Sequence, residues 1–570
     1  MVSNGLSNED SELKDLKGEQ NKQKHENSDI LETILKHVGE MGLYQKLLFV
    51  GMGPFGVFFA FVYYVQMFIT ATPQRHWCRV PELEHLEIDL RRNLTTPKLD
   101  DLWDRCNMYD ANWTQVLLNF TIPEGTPTVP CKYGWEFELG DIPYETIVSE
   151  RNWVCDKAGY APVAQSIFFV GSLCGGIFFG WMADYYGRVP SLVGTNIMAL
   201  IGGIATVYST GLWDFAFYRF IVGTSYDSCF MTMYILVLEY IGPKYRTWVG
   251  NLSLALYFGG GCLMLPWLAI WVGDWRKLLW IISLPFVIVI IVPFTVPESA
   301  RWLSSRGRVN DAVKVLKRFE KVNGKKIPED VMDEFIRSAN QNSPTNKSMM
   351  DAVKSGPLRK MMFLMVVVYM ACSVIFDGLV RMSDDLGLDF FVTFTLTSAM
   401  EIPSVILLAC ILEKFGRRAL SCGPMAAAGV LIMTAAFVPK GVTQVVLAIM
   451  ARFMINMAFN VAIQRGTELL PTPVRATGCS LMHVTGYLAT LVSPLIVFSR
   501  IYWAPLPFFV MGIISLAAST ANLFLPETKG ISLPQTIEEG EIFFNSYSLC
   551  GKVEDTNDIQ VAENEKPLIV

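Results

Sequence analysis

What most restricts this chain is a series of twelve uninterrupted apolar blocks, each about 20 residues long. That length lets one helix cross roughly 30 Å of hydrocarbon. Apolar residues spaced as a stripe would mark the core face of a soluble helix instead. The blocks place spans at 46–70, 159–183, 190–210, 215–241, 248–271 and 277–297, then at 361–381, 389–412, 420–438, 443–466, 476–498 and 505–525. Composition agrees, with 52% of the 570 residues hydrophobic and 18% charged, and a mean hydropathy of +0.34. A soluble protein of this length would carry more charge and split into several domains. The expected fold class is an all-α membrane protein with twelve transmembrane helices, embedded in a lipid bilayer.

Charge in the short loops sets the expected orientation. Arg188, Lys244 with Arg246, Lys414 with Arg417 and Arg418, and Arg475 all fall on one side. The segment from Pro297 to Lys360, on that same side, holds 14 Lys and Arg against 8 Asp and Glu. The positive-inside rule makes that side cytoplasmic and puts both termini there. Residues 1 to 28 are polar and mixed in charge, so the first apolar block is expected to act as an uncleaved anchor. Residues 29 to 48 read as a short amphipathic helix at the inner membrane surface, with Ile30, Ile34, Leu35 and Val38 on one face.

The expected units are a cytoplasmic segment 1–45, a first half 46–297, a middle loop 298–360, a second half 361–525 and a cytoplasmic tail 526–570. The middle loop is expected to hold a helix from about Asn310 to Val322, and the tail to be flexible. No stretch is basic enough to engage nucleic acid.

Residues 71–158 form the one long loop on the opposite side. It carries three glycosylation sequons, at Asn93, Asn112 and Asn119. It also carries Cys78, Cys106, Cys131 and Cys155, which in an oxidising compartment imply two disulfides. Four cysteines allow three pairings, and sequence does not choose among them.

The two halves repeat. Asp184, Gly187 and Arg188 recur as Glu413, Gly416 and Arg417, each 229 residues later. Glu239 and Arg246 recur as Glu468 and Arg475, and Pro297-Glu298 as Pro526-Glu527, at the same offset of 229. All lie at span ends on the basic side. Such a pattern expects two parallel six-helix halves with a cargo site between them near the midplane.

At this point the residues resemble a known family. Gly180-Trp-Met-Ala-Asp-Tyr-Tyr-Gly-Arg188 is similar to the loop motif of the major facilitator superfamily. Pro297-Glu-Ser-Ala-Arg-Trp-Leu303, Glu468-Leu-Leu-Pro-Thr-Pro-Val-Arg475 and Leu525-Pro-Glu-Thr-Lys-Gly530 resemble the organic cation, anion and carnitine transporters within it. So do the long first loop and Val38-Gly-Glu-Met-Gly-Leu-Tyr-Gln45. The resemblance runs from about residue 29 to 540. It implies transport by alternating access, one half rocking against the other. Arg188 is expected to latch to Asp184 and Glu239, and Arg417 to Glu413 and Glu468, in a gate that also includes Arg246 and Arg475.

A charge at the centre of a span costs about 2.5–3.5 kcal/mol, so each one asks for a partner or a function. Asp227 lies near mid-depth of the fourth span, with Phe230 and Tyr234 at +3 and +7 on the same helical face. An acid beside aromatic rings can hold an ammonium by charge and by cation–π contact. Glu401 lies midway along the eighth span, and by the resemblance it matches a carboxylate of the cation site. Asp377 and the preceding Phe376 in the seventh span are expected at the substrate site, unless Arg381 four residues on pairs with Asp377 and makes it structural. Arg452 in the tenth span could take a substrate carboxylate or neutralise Glu401 or Asp377. Arg465, nearer the inner end, is expected to face Glu468 or lipid phosphate.

Two positions depart from the family pattern. Tyr487 stands where cation-selective relatives carry Asp and carnitine or anion relatives tend to carry Arg. Pro162 stands where cation carriers often have Asp. The remaining set favours a small organic cation or zwitterion, such as carnitine, carcinine, β-alanine or a biogenic amine. An organic anion carrier of the same fold and a non-transporting sensor are the alternatives. No nucleophile motif, metal-ligand spacing or glycine-rich phosphate loop is present, so neither an enzyme nor a cofactor is expected. The driving force stays open: Asp227 could carry a co-transported proton, or the cargo could move alone. If the loop faces the secretory lumen, endoglycosidase treatment will increase gel mobility. Replacing Asn93, Asn112 and Asn119 together by Gln will abolish that shift.

Overall fold

The computed structural model describes residues 30–99, 102–123, 125–341, 353–384, 386–529, 534 and 537–545. Among them are twelve helices long and apolar enough to cross a membrane. The first six are Leu43–Ile69, Cys155–Tyr185, Arg188–Val207, Leu212–Glu239, Lys244–Val272 and Trp275–Thr295. The second six are Gly356–Asp384, Phe390–Leu412, Arg417–Phe437, Val442–Leu469, Thr477–Ile501 and Leu506–Leu523. They are numbered below as the first to twelfth spans. Helices are required here because hydrocarbon offers no partner to a backbone N–H or C=O.

The 71–158 loop departs from the all-α expectation. It forms short antiparallel pairs, His76–Cys78 with Trp135–Phe137 and Asn107–Tyr109 with Thr128–Pro130. Disulfides join Cys78 to Cys131 and Cys106 to Cys155. A small core of Val80, Leu83, Leu94, Met108, Trp113 and Val116 fills it. Cross-links supply what so small a core cannot. Asn93, Asn112 and Asn119 are all exposed. Asn112 also caps the helix Trp113–Asn119, its Oδ1 accepting from the Thr114 N–H at 3.2 Å. We call this the disulfide end.

The opposite, helical end carries Ala300–Ser305, Val309–Asn323 and Glu329–Gln341. The helix at 30–38 packs here, and it corrects an expectation. Its Ile30, Ile34, Leu35 and Val38 are buried in protein, not laid on a membrane surface. Asn323 fastens it, donating to the Val38 carbonyl at 3.2 Å, while its Oδ1 accepts from the Tyr44 N–H at 2.8 Å. The helix stops at 38, and the first span begins separately at Leu43.

The repeated Pro-Glu pairs prove to be helix caps. Glu298 accepts from the backbone N–H groups of Arg188 at 2.9 Å and Val189 at 3.0 Å, which open the third span. Glu527 accepts from those of Arg417 and Arg418, both at 2.9 Å, which open the ninth. A helix start exposes unpaired donors and partial positive charge, so a carboxylate there is well placed. Gly187 (φ 117°) and Gly416 (φ 82°) make room for it. A Cβ on Gly187 would stand 2.4 Å from Glu298 Oε2, and one on Gly416 2.8 Å from Glu527 Oε2.

Close packing within the first half rests on a glycine pair. A Cβ on Gly171 or Gly175 would strike the Phe220 or Thr224 carbonyl of the fourth span at 2.2 and 1.9 Å. Small residues four apart let membrane helices approach this closely.

Burial alone would raise the Glu527 carboxyl, but the N–H groups of Arg418, Arg417, Lys529 and Thr528 hold it below its ordinary value. A lowered folded value means the stabilisation is present above the ordinary carboxylate range and is lost as pH falls through the lowered one. Glu527→Gln should therefore lose about 1–3 kcal/mol at neutral pH. Thermal unfolding of purified protein from pH 7 to pH 4 should show the difference from wild type shrinking.

Candidate functional site

Two spans are interrupted where their acids sit. The fourth divides into Leu212–Ser225 and Ser228–Glu239, with Asp227 at the junction. The eighth divides into Phe390–Ala399 and Glu401–Phe415, so Glu401 opens the second piece. Interruptions of this kind recur at functional sites in membrane helices.

Asp227 is half-buried and lies beside the Tyr487 hydroxyl of the eleventh span. Tyr487 meets Tyr226 edge-on, with centroids 5.9 Å apart. Tyr226 in turn stacks on Tyr63 at 4.8 Å and Phe59 at 5.1 Å, both of the first span. His483 lies one turn before Tyr487, and its Nδ1 is 3.0 Å from the Tyr369 hydroxyl of the seventh span. The rings recorded around Tyr487 are therefore Tyr226 and Tyr369. Phe230 and Tyr234, on the helix that Asp227 opens, pair with each other at 5.7 Å but are engaged by other spans. Phe230 is fully buried against Phe59 at 5.6 Å, and Tyr234 leans toward Gly250.

The second charged group belongs to the other half. Arg452 is 2% exposed and lies over the Phe376 ring, 3.3 Å from its centroid, while donating to the Phe376 carbonyl. Its charge acts on Glu401 and on Tyr64. Asn456 holds the Glu401 turn, donating to Ser404 Oγ at 2.6 Å. Phe459 stacks on Phe376 at 5.3 Å and Tyr369 at 5.2 Å, closing an aromatic wall between the two groups.

Asp377 is not open to a ligand here. Arg381 donates to both its oxygens, at 2.5 and 2.9 Å, and Tyr63 adds a third bond at 2.7 Å. Asp377 is fully buried, so this pair is a structural bolt that also ties the first span to the seventh.

The gate residues divide. Arg188 meets Asp184 at 2.8 Å and Glu239 at 3.7 Å, and Arg417 meets Glu468 at 3.3 Å. The side chain of Glu413 lies outside the described ones. Arg246 pairs with Glu32 at 3.5 Å, and Arg475 donates to the Leu470 carbonyl. Arg465 is buried, donating to Asn522 and to the Pro526 carbonyl within range of the Glu527 and Glu468 charges, and so does not face lipid.

Sequence reasoning missed Tyr63, Tyr64, Tyr226, Tyr369 and Phe459. The run Phe58-Phe-Ala-Phe-Val-Tyr-Tyr64 was the available signal, since so many rings in one span exceed what lipid contact needs. It also missed Arg219, a charge inside the fourth span. Arg219 is 1% exposed, donates to Gln66 Oε1 at 2.7 Å, and covers the Phe168 ring at 5.0 Å.

Six-helix halves enclosing charged groups and aromatic walls define a membrane transporter of the major facilitator fold. The chain belongs to the sugar (and other) transporter family, whose model matches residues 141–539. It is 31% identical to the beta-alanine transporter of Drosophila melanogaster over 555 residues, covering 91% of each chain. It is also 31% identical to that organism's carcinine transporter over 535 residues, 90% of this chain and 79% of the relative. Solute carrier family 22 member 3 of Rattus norvegicus is 29% identical over 544 residues, 92% of this chain and 98% of the relative. Among solved structures, the proton:xylose symporter XylE bound to 6-bromo-6-deoxy-D-glucose superposes with a TM-score of 0.57 at 15% identity. That match covers 88% of this chain and 99% of the symporter, and it shows the fold alone.

Arg381→Gln would leave a buried carboxylate without its cation, at a cost of about 3–5 kcal/mol. The double substitution Asp377→Asn with Arg381→Gln should recover most of that loss. Thermal unfolding of the single and double variants checks it.

Proposed function

We propose that this protein is a plasma-membrane secondary transporter for small organic cations or zwitterions, working by alternating access. The observation that carries the reading is Asp227, at a helix interruption close to Tyr487 and Tyr226, across an aromatic wall from Glu401 and Arg452. An ammonium is stabilised by the acid's charge and by the ring faces together. The carboxylate of a zwitterion finds its counter-charge in Arg452. The names of the beta-alanine and carcinine relatives fit that chemistry.

Disulfides and exposed sequons support an extracellular disulfide end, and loop charge supports cytoplasmic termini. The ion pairs of Arg188 and Arg417 lie within their own halves at the helical end. There they keep each half rigid as the two rock.

Cells expressing the protein should take up labelled β-alanine or carcinine saturably, with tetraethylammonium raising the apparent KM. Asp227→Asn and Glu401→Gln should each reduce kcat/KM about tenfold or more, with surface expression confirmed by labelling of intact cells. Uptake of a labelled aromatic carboxylate in place of either amine would overturn the reading.

A further inference from the structure

An open space lies at the disulfide end, apart from the central cluster. There a cavity of about 450 Å³ lies between the loop domain and both halves. Its size suits a small organic molecule. Its walls carry Arg105 from the loop, Gln165 from the second span, and Arg381, Lys440 and Arg500 from the second half. Asp384 is the carboxylate among them, and Arg500 already grips both its oxygens at 2.8 and 2.9 Å. Phe390 and Val497 give the remaining wall an apolar face.

Gln165 makes this more than a basic surface. It is 3% exposed, yet among the described residues neither its Nε2 nor its Oε1 has a hydrogen-bond partner. A buried amide without partners costs free energy, and it persists where something else satisfies it. Behind the same wall, Arg219 lies close enough to Arg381 for the two guanidinium groups to repel. Asp377 offsets only one of them. The wall therefore offers an unused amide donor and a surplus of positive charge above an apolar floor.

We propose that this vestibule binds a small organic carboxylate, held by the Gln165 amide and Arg105 against the apolar face of Phe390 and Val497. Its occupant bridges the two halves and stabilises the arrangement in which their disulfide ends are together. In that arrangement Tyr63 bonds Asp377 at 2.7 Å, Gln74 bonds the Asp384 carbonyl at 3.3 Å, and Ser166 bonds the Leu491 carbonyl at 2.9 Å, all across the halves. A ligand that touches both halves favours this state in proportion to its preference for it. The consequence for flux rests on the transporter reading above; binding itself does not.

The test is equilibrium binding of labelled 3-phenylpropionate to the purified full-length protein in nanodiscs. Gln165→Met and Arg105→Gln should each weaken binding about tenfold, while Asp227→Asn leaves it unchanged. Arg105 is exposed on the loop, so its variant guards against a folding defect at Gln165. Competition by β-alanine in the Asp227→Asn background would identify the cargo's own carboxylate as occupant, and its absence a separate carboxylate modulator. In uptake assays, 3-phenylpropionate should lower the maximal rate without raising KM. Binding that survives both vestibule variants, or that disappears in Asp227→Asn, overturns the proposal. Binding that behaves as expected in a protein moving no amine would sustain the vestibule and remove the transport reading instead.

Discussion

Glu298 and Glu527 each place a carboxylate against the backbone N–H groups that begin a membrane span, and the loops at the helical end are organised around those two contacts. The first four N–H groups of any helix have no partner within it, and at a membrane boundary water cannot be relied on to serve them all. Supplying the partner from the chain just after each half's sixth span ties the end of that half to its middle. The same stretch then does further work. Ser299 caps the helix Ala300–Ser305, accepting from the Trp302 N–H at 3.1 Å, and Trp302 donates to the Asp184 carbonyl at 2.7 Å. Each half thus becomes a unit stiff enough to rock as one body.

Against that rigid frame, the midplane is assembled from elements that are not continuous helices. Asp227 and Glu401 lie at interruptions, and the fifth span passes through a wider turn at Leu254–Phe258. The charges sort into two kinds. Asp377 and Arg381 neutralise one another in full burial and hold the halves' disulfide ends in register through Tyr63. Asp227, Glu401 and Arg452 are matched less completely and are surrounded by rings. Under the proposed function, a site of this sort can exchange one cation for another because its own groups do not satisfy it fully.

Tyr487 shows how such a site can be rearranged. By family resemblance an acid is expected there in a cation carrier, and its absence left the charge rule without an answer. In the structure Tyr487 lies close to Asp227 of the facing half. An acid is present near the same place but is supplied by the fourth span, with the eleventh contributing the ring beside it.

The sequence by itself determined the class, the twelve spans and the twofold repeat, because span length and loop charge are local properties that hydrocarbon and water read directly. It also singled out Asp227, Glu401 and Arg452, since a charge in an apolar block is conspicuous without any fold. Contacts between distant segments were beyond it. Which cysteines pair, whether Asp377 is bolted or open, and that Arg465 turns inward to Asn522 all depend on residues tens or hundreds of positions away. Phe230 packs on Phe59 for the same reason: a helical period tells which residues share a face, and only the packing tells what that face meets. Aromatic residues such as Tyr226 and Tyr369 are as common facing lipid as lining a site, so only the packing of six spans could tell which they do.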